Sequence, residues 1–363
     1  MDIKKTIILL SALLFINACG WGRNMDNEAY QLLIKNTDKF NEQYKGKEID
    51  LARIDLSGLT IKNAIMKNAD LRGSDLTKTK FKECDLTGAK LTGATLFKTK
   101  FLKSTLNKST CNRTSFKHVI FESSFARELD WSGSVFIDCE FDETDLSESN
   151  LNNTRFRRCN FLNSEVQKCE IKNSIMTDVV INATDFITSD FTDSKIKAEI
   201  VEDSYFSHTI LHRTIFSGSK FKGRMWSEPS FLDAEAKDVD FSNCRIYGVS
   251  MSSANLENAN FSHSNIELLG AQRANLKGAN FTHSNLNGLN LGHTDLTNAD
   301  FSDSSIVNFF IIRDTILTGA KFKNMTLFGS PEIILEDTIY EGKGLPFEGR
   351  TTKTGPAPQK TKD

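Results

Sequence analysis

Every fifth residue from Leu51 to Ile311 is apolar: all 53 positions of that register hold Leu, Ile, Val, Met, Phe, Trp, Ala or Cys. A period of five fits neither the roughly 3.6 residues of an α-helical turn nor the two-residue alternation of a flat strand, so it predicts a repeat architecture. A second register supports the first. The residue two before each apolar centre is small in most units, as at Ala64, Ala69, Ser74, Thr79, Cys84, Ala89 and Ala94, and again at Ala254, Ala259, Ser264, Ala274 and Ala279. Alternate residues of an extended segment share a face, so both are expected to point inward. Asp or Asn often stands between them (Asp70, Asp75, Asp85, Asn255, Asn260, Asn275, Asn280, Asp300), and the two following positions are largely polar or Gly, as a solvated corner requires.

Phe carries a longer period. Stepping by twenty from Ile61 to Phe301 meets Phe at ten of thirteen centres, whereas the other forty centres hold eight. Residues twenty apart should therefore stack directly, in turns of four five-residue sides spaced about 4.8 Å apart. The period predicts about 13 such turns.

The units Ala69-Asp70-Leu71-Arg72-Gly73, Ala254-Asn255-Leu256, Ala274-Asn275-Leu276-Lys277-Gly278, Ala279-Asn280-Phe281 and Ala299-Asp300-Phe301 follow A-[DN]-L-x-x with Phe an accepted centre. The chain thereby resembles the pentapeptide-repeat proteins over roughly residues 50 to 330. The resemblance implies an all-β fold, a right-handed quadrilateral parallel β-helix. It says little about activity, because one fold hosts many functions.

Outside the repeat, Lys4 and Lys5 precede an apolar run from Ile7 to Ile16, and Ile16-Asn17-Ala18-Cys19 resembles a bacterial lipobox. About ten apolar residues are too few to span a bilayer. Residues 1–19 thus read as a lipoprotein signal peptide with Cys19 the lipidated residue. Gly20 after that Cys favours the outer membrane by analogy with enteric sorting. Residues 20–26 form a tether. Residues 27–46 predict one helix that caps the open end of the coil, started by Asp26 or Asn27 and closed by Gly46. The repeat is expected over 47–330, with a phase slip of one between Ile311 and Leu317. The apolar run Val307 to Ile312 reads as a packed irregular last turn, the other reading being an exposed patch serving dimerisation or a partner. Residues 331–363 are expected to be largely disordered.

Faults concentrate from Glu199 to Ala236, where Glu199, Arg224 and Pro229 take small inward sites. A bulge turning Glu199 and Arg224 outward is the favoured reading; the alternative is an internal pair. The six cysteines after Cys19 (Cys84, Cys111, Cys139, Cys159, Cys169, Cys244) all fall on inward positions and read as small hydrophobes, only Cys139 and Cys159 having the spacing to pair. His263 and His283 should stack on consecutive turns as a polar ladder; no third ligand accompanies them, so no metal site is expected. No phosphate loop, nucleophile motif or paired catalytic group is found, which predicts no cofactor and no enzymatic activity.

Charge is segregated although the net charge is only −2. From Thr60 to His118 there are thirteen Lys and Arg against four acids, and from Val119 to Asn160 nine acids against four bases. Folding by twenties gathers Lys62, Lys78, Lys80, Lys82, Lys98, Lys100, Lys103 and Lys117 near the Phe column, as a candidate binding face. The expected function is a non-catalytic, membrane-anchored scaffold of the bacterial cell envelope that binds a protein partner through its flat faces, as a monomer or as a homodimer through the C-terminal end. The alternatives are an anionic envelope polymer or lipid on the Lys face, or the DNA mimicry of topoisomerase-binding members of the family, which the export signal and the lysines oppose. No nucleic acid is expected as a partner, since no interleaved aromatics offer base stacking.

Overall fold

The structure is a computed structural model that describes residues 27–223, 229–335 and 351–354. The signal segment, Cys19 and the tether lie outside the described residues. Two compact units are present, residues 1–154 and 155–363. Each forms the all-β, right-handed parallel β-helix that the family resemblance implies, and the two together hold about 13 turns.

In the first unit, all four sides of the turn pair with the side twenty residues on. Asp50 pairs with Asp70, Asp55 with Asp75 and Ile65 with Asp85, and Thr60–Lys62 pairs in parallel with Lys80–Lys82. The corners explain the polar registers. Asp50, Asp55, Asp75 and Asp85 each accept, through Oδ1, the backbone N–H two residues on, at 2.8–3.0 Å. This Asx turn is what selects Asp or Asn before the apolar centre. The residue two after the centre is left-handed, as at Lys78 (φ 59°), Lys98 (φ 58°) and Arg113 (φ 52°). Gly88 (φ +71°) meets a second demand there, because a Cβ would fall 2.2 Å from Asn68 Oδ1 on the turn below.

Inside the same unit, Phe81, Phe101, Phe121 and Phe141 form one column with centroids 5.1–5.3 Å apart and planes within 11°. Trp131 is 1% exposed and packs on Phe116, Phe121 and Phe136; its indole N–H has no partner. The small inward site admits hydroxyls because the coil supplies partners. Thr79 and Thr99 donate to the carbonyls of Leu56 and Leu76 at 2.8 and 2.7 Å, while Ser104 Oγ accepts the N–H of Cys84 at 3.2 Å.

The single capping helix expected over 27–46 is instead two, α1 (Glu28–Lys35) and α2 (Thr37–Gln43). Asn36 breaks it. Its backbone is extended (φ −159°, ψ 95°), and its side chain accepts the Lys39 N–H to start α2. Asn27 caps α1 by accepting the Tyr30 N–H. Both helices seat on the first turn through amides: Asn27 Nδ2 donates to Asp50 O, Asn41 Nδ2 donates to Asn63 O, and Asn41 Oδ1 accepts the Ile65 N–H, each at 2.8 Å. Phe40, fully buried, anchors α2.

The second unit departs from the predicted twenty-residue ladder. Val201 pairs with Phe221 as expected, but Lys220–Lys222 pairs with Arg245–Tyr247, twenty-five residues on. Tyr205 with Ser230, Ile210 with Glu235 and Ile215 with Asp240 share that spacing. One turn thus carries an extra unit between Lys222 and Ser230. A whole unit leaves the register of five intact and shifts every column by one side. Phe221 meets Phe241 edge-on (5.7 Å, 70°), and it is Phe216 that stacks on Phe241 (5.1 Å, 6°). The column continues through Phe261, Phe281, Phe301 and Phe322.

Glu199 is exposed, and Ala198, 2% exposed, takes the inward site in a bulge where it pairs with Val179. The internal pair with Arg224 is therefore not made on the glutamate's side; Arg224 lies outside the described residues. The phase slip sits inside the strand Ser305–Ile311, between the pairs Asn287–Val307 and Leu289–Phe310, after which Ile312 and Leu317 fill the core. Part of the extension expected to be disordered is strand. Thr326–Leu335 runs past Pro331, which a register shift between Phe328 and Glu332 removes from the ladder, and Thr351–Thr354 pairs with it in parallel.

All six cysteines of the repeat are buried, Cys139 and Cys159 included. Burial pushes the thiol of Cys84 up to about 11 and those of Cys111 and Cys244 up to about 12. These thiols should resist maleimide at pH 8 in the folded protein and react once denaturant is added; rapid labelling of the native protein contradicts their packing. Phe101→Ala, which removes the middle of a stacked column, should lower stability by about 3–5 kcal/mol in urea titration.

Candidate interaction face

The first unit presents one side whose centres are Ile61, Phe81, Phe101, Phe121 and Phe141, all inward. Two outward columns flank them. Before the centres run Thr60, Lys80, Lys100, Ile120 and Glu140, and after them Lys62, Lys82, Leu102, Glu122 and Asp142, each in register with the next. Parallel pairing in register makes a residue's neighbour on the next turn its own counterpart, so Lys80 stands beside Lys100 and Lys62 beside Lys82.

The left-handed corner entering this side carries Lys78 and Lys98, and the corner leaving it carries Lys103 (φ 50°). Seven of the eight predicted lysines thus share one side and its two edges. Lys117 lies around the corner, beside Phe97 in the register Leu96–Phe116 and Phe97–Lys117. There Lys98 Nζ and Lys117 Nζ sit 5.2 and 5.9 Å from the Phe97 ring, and His118 meets its edge at 5.6 Å. All eight are exposed except the half-buried Lys100.

Like charges directly opposite one another across strands are unfavourable. Several other charges of the first unit are matched: Lys67 with Asp85 at 3.2 Å, Arg72 with Asp70, Lys108 with Glu128 at 3.4 Å, Arg127 with Glu148 at 2.7 Å. The guanidinium of Arg72 holds the Asp70 carboxyl below the usual carboxylate range. None of the eight lysines makes an ion pair among the described residues. In the second unit the outward columns carry amides that satisfy one another, as in Asn280 to Asn260 to Asp240 at 3.1 Å each.

The acidic half of the same side was missed by reading charge along the chain. Val119–Asn160 reads as an acidic stretch, yet stepping by twenty from Lys82 through Leu102 reaches Glu122 and Asp142, and from Lys80 through Lys100 and Ile120 reaches Glu140. Phe97 and His118 were missed too, since neither falls in an inward register.

His263 and His283 stack with centroids 4.9 Å apart, and no group of three or more metal-ligating side chains occurs among the described residues. A groove between α2 and the first turns is lined by Tyr44, Ile49, Ile65, Lys67 and Asp85, and its Asp85 is tied to Lys67. No described helix is long and apolar enough to cross a membrane.

The family profile "Pentapeptide repeats" matches residues 54–93, 84–122, 115–153, 139–178, 235–267 and 272–308. Its gap between 178 and 235 covers the bulge at Glu199 and the extra unit. No curated protein sequence matches. Among solved structures, HetL, a pentapeptide repeat protein involved in heterocyst differentiation regulation in the cyanobacterium Nostoc, is 17% identical; the match covers 69% of this chain and 96% of HetL, with a TM-score of 0.21. Full-length QnrB1, a plasmid-mediated fluoroquinolone resistance protein, is 14% identical over 71% of this chain and 92% of its own, with a TM-score of 0.17. A pentapeptide repeat protein of the Arabidopsis thaliana thylakoid lumen is 21% identical over 32% of this chain and 63% of its own, with a TM-score of 0.14. The profile covers more than half of the residues, and the turns it covers are built as that repeat requires, so this chain belongs to the pentapeptide-repeat family.

Proposed function

We propose that the chain is a non-catalytic interaction protein of the bacterial cell envelope, anchored to a membrane through an acylated Cys19, which binds an acidic protein surface through the lysine-bearing side of its first unit. The observation that carries this reading is the unmatched ladder of Lys62, Lys82, Lys80 and Lys100. Such a ladder costs stability in the free chain and is relieved by opposite charge from outside. Its backbone is tied by bonds between turns at both edges, such as Lys98 N to Lys117 O and Lys103 N to Glu122 O at 2.9 Å. A face fixed in this way meets a partner with little ordering cost.

Anchoring is supported by the lipobox-like Ile16-Asn17-Ala18-Cys19, and Gly20 favours the outer membrane. The same lysines suit anionic lipid headgroups or an envelope polymer as a second reading. DNA mimicry toward a topoisomerase is disfavoured by their sign.

Metabolic labelling with a palmitate analogue should mark the chain and lose the mark in Cys19→Ala; equal labelling of both refutes the anchor. The full chain should recover an envelope protein from solubilised membranes and lose it when the eight lysines are changed to Gln. Retention of the same protein by that variant places the contact elsewhere.

A further inference from the structure

The lysine-bearing side of the first unit is basic on its early turns and acidic on its late ones. From Lys80 onward one outward column reads Lys80, Lys100, Ile120, Glu140, and the other Lys82, Leu102, Glu122, Asp142. Both columns have the same polarity, and their half-buried aliphatic residues, Leu102 and Ile120, stand at the join between the basic and acidic halves. Glu122 and Glu140, like the lysines, make no ion pair among the described residues.

We infer that the acidic protein surface recognised by this side is the same side of a second copy, in antiparallel orientation. This rests on the reading of the chain as an interaction protein and names the partner. Two identical faces that meet are related by a two-fold axis in the plane of contact. An axis perpendicular to the columns, between the turns of Phe101 and Phe121, sets each column against its own counterpart reversed. Lys80 then faces Glu140 of the second copy, Lys82 faces Asp142, Lys100 faces Ile120 and Leu102 faces Glu122. Turn spacing is the same in both copies, so one match brings the others into register. An axis parallel to the columns would instead lay lysine on lysine, and the charges oppose it.

Four turns of one side span about 20 Å, less area than a stable soluble dimer buries. The association is therefore weak and salt-sensitive, and it gains from confinement of both copies to one membrane, which raises their effective concentration.

The test uses the full acylated chain in non-ionic detergent at low salt. Lys80→Cys and Glu140→Cys chains are purified separately, then oxidised alone and mixed. The six buried thiols do not compete. The mixture should yield a disulfide-linked dimer that neither chain forms alone and that about 0.5 M salt suppresses; Lys82→Cys with Asp142→Cys should behave the same way. In chains with native cysteines, Lys78, Lys80 and Lys82 changed to Glu should abolish association read by a bifunctional cross-linker, as should Glu122, Glu140 and Asp142 changed to Lys, and mixing the two reversed chains should restore it. The inference is overturned if the mixed Cys chains fail to link, if Lys80→Cys links to itself, or if either reversed chain still associates. Loss of a captured envelope protein by the eight-lysine variant, together with no link in the mixture, assigns the side to a different acidic partner and also overturns it.

Discussion

Direct vertical stacking of equivalent side chains governs this molecule. Each inward residue of either unit rests on its counterpart one turn below, because backbone hydrogen bonds run from turn to turn in parallel register, as from Leu51 N to Asp70 O and Leu56 N to Asp75 O, both 2.8 Å. In the core this rule is favourable. Phe on Phe gives stacks with nearly parallel rings, and the small site beside them takes buried Ala, Cys, Ser or Thr. On the outside the same rule is indifferent to sign, and it lays lysine beside lysine as readily as asparagine beside asparagine.

Most of the polar sequence is spent on making corners. Asp and Asn before the centres hold the turn by accepting a backbone N–H, and the left-handed residue two after the centre turns outward. Hydroxyls at the inward small site are largely consumed by backbone carbonyls, of the turn below as at Thr79 or of their own turn as at Ser74. What is left for recognition is the outward columns, flat and regular, which suit contact with a macromolecule better than enclosure of a small one. The lysine-bearing side of the first unit stands out there, since its lysines make no ion pair among the described residues while several charges of neighbouring sides are paired.

That side also joins the charge pattern to the anchor proposed at Cys19. A weak contact between small faces is consistent with proteins held on one surface, where encounter is frequent and orientation restricted. From the segregation of charge along the chain, Lys80, Lys82 and Lys100 and then Glu122, Glu140 and Asp142 fall, once folded, on the early and late turns of one side.

The register of five, the inward identity of its centres and the role of Asp and Asn were readable along the chain because they are local: each unit solves the same steric problem within a few residues. The lysine cluster was readable for the same reason, since equivalent positions follow by counting while the turn holds twenty residues. Counting failed where closure of the turn is decided by distant pairing. The extra unit between Lys222 and Ser230 keeps the register of five and moves the stack from Phe221–Phe241 to Phe216–Phe241. The bulge that exposes Glu199 and the extended Asn36 that splits the cap depend on which backbone groups find partners across the fold. So does the acidic half of the lysine side. Glu122, Glu140 and Asp142 share a plane with Lys80 and Lys82 because parallel strands of successive turns fix their order in space, an arrangement that no window of neighbouring residues contains.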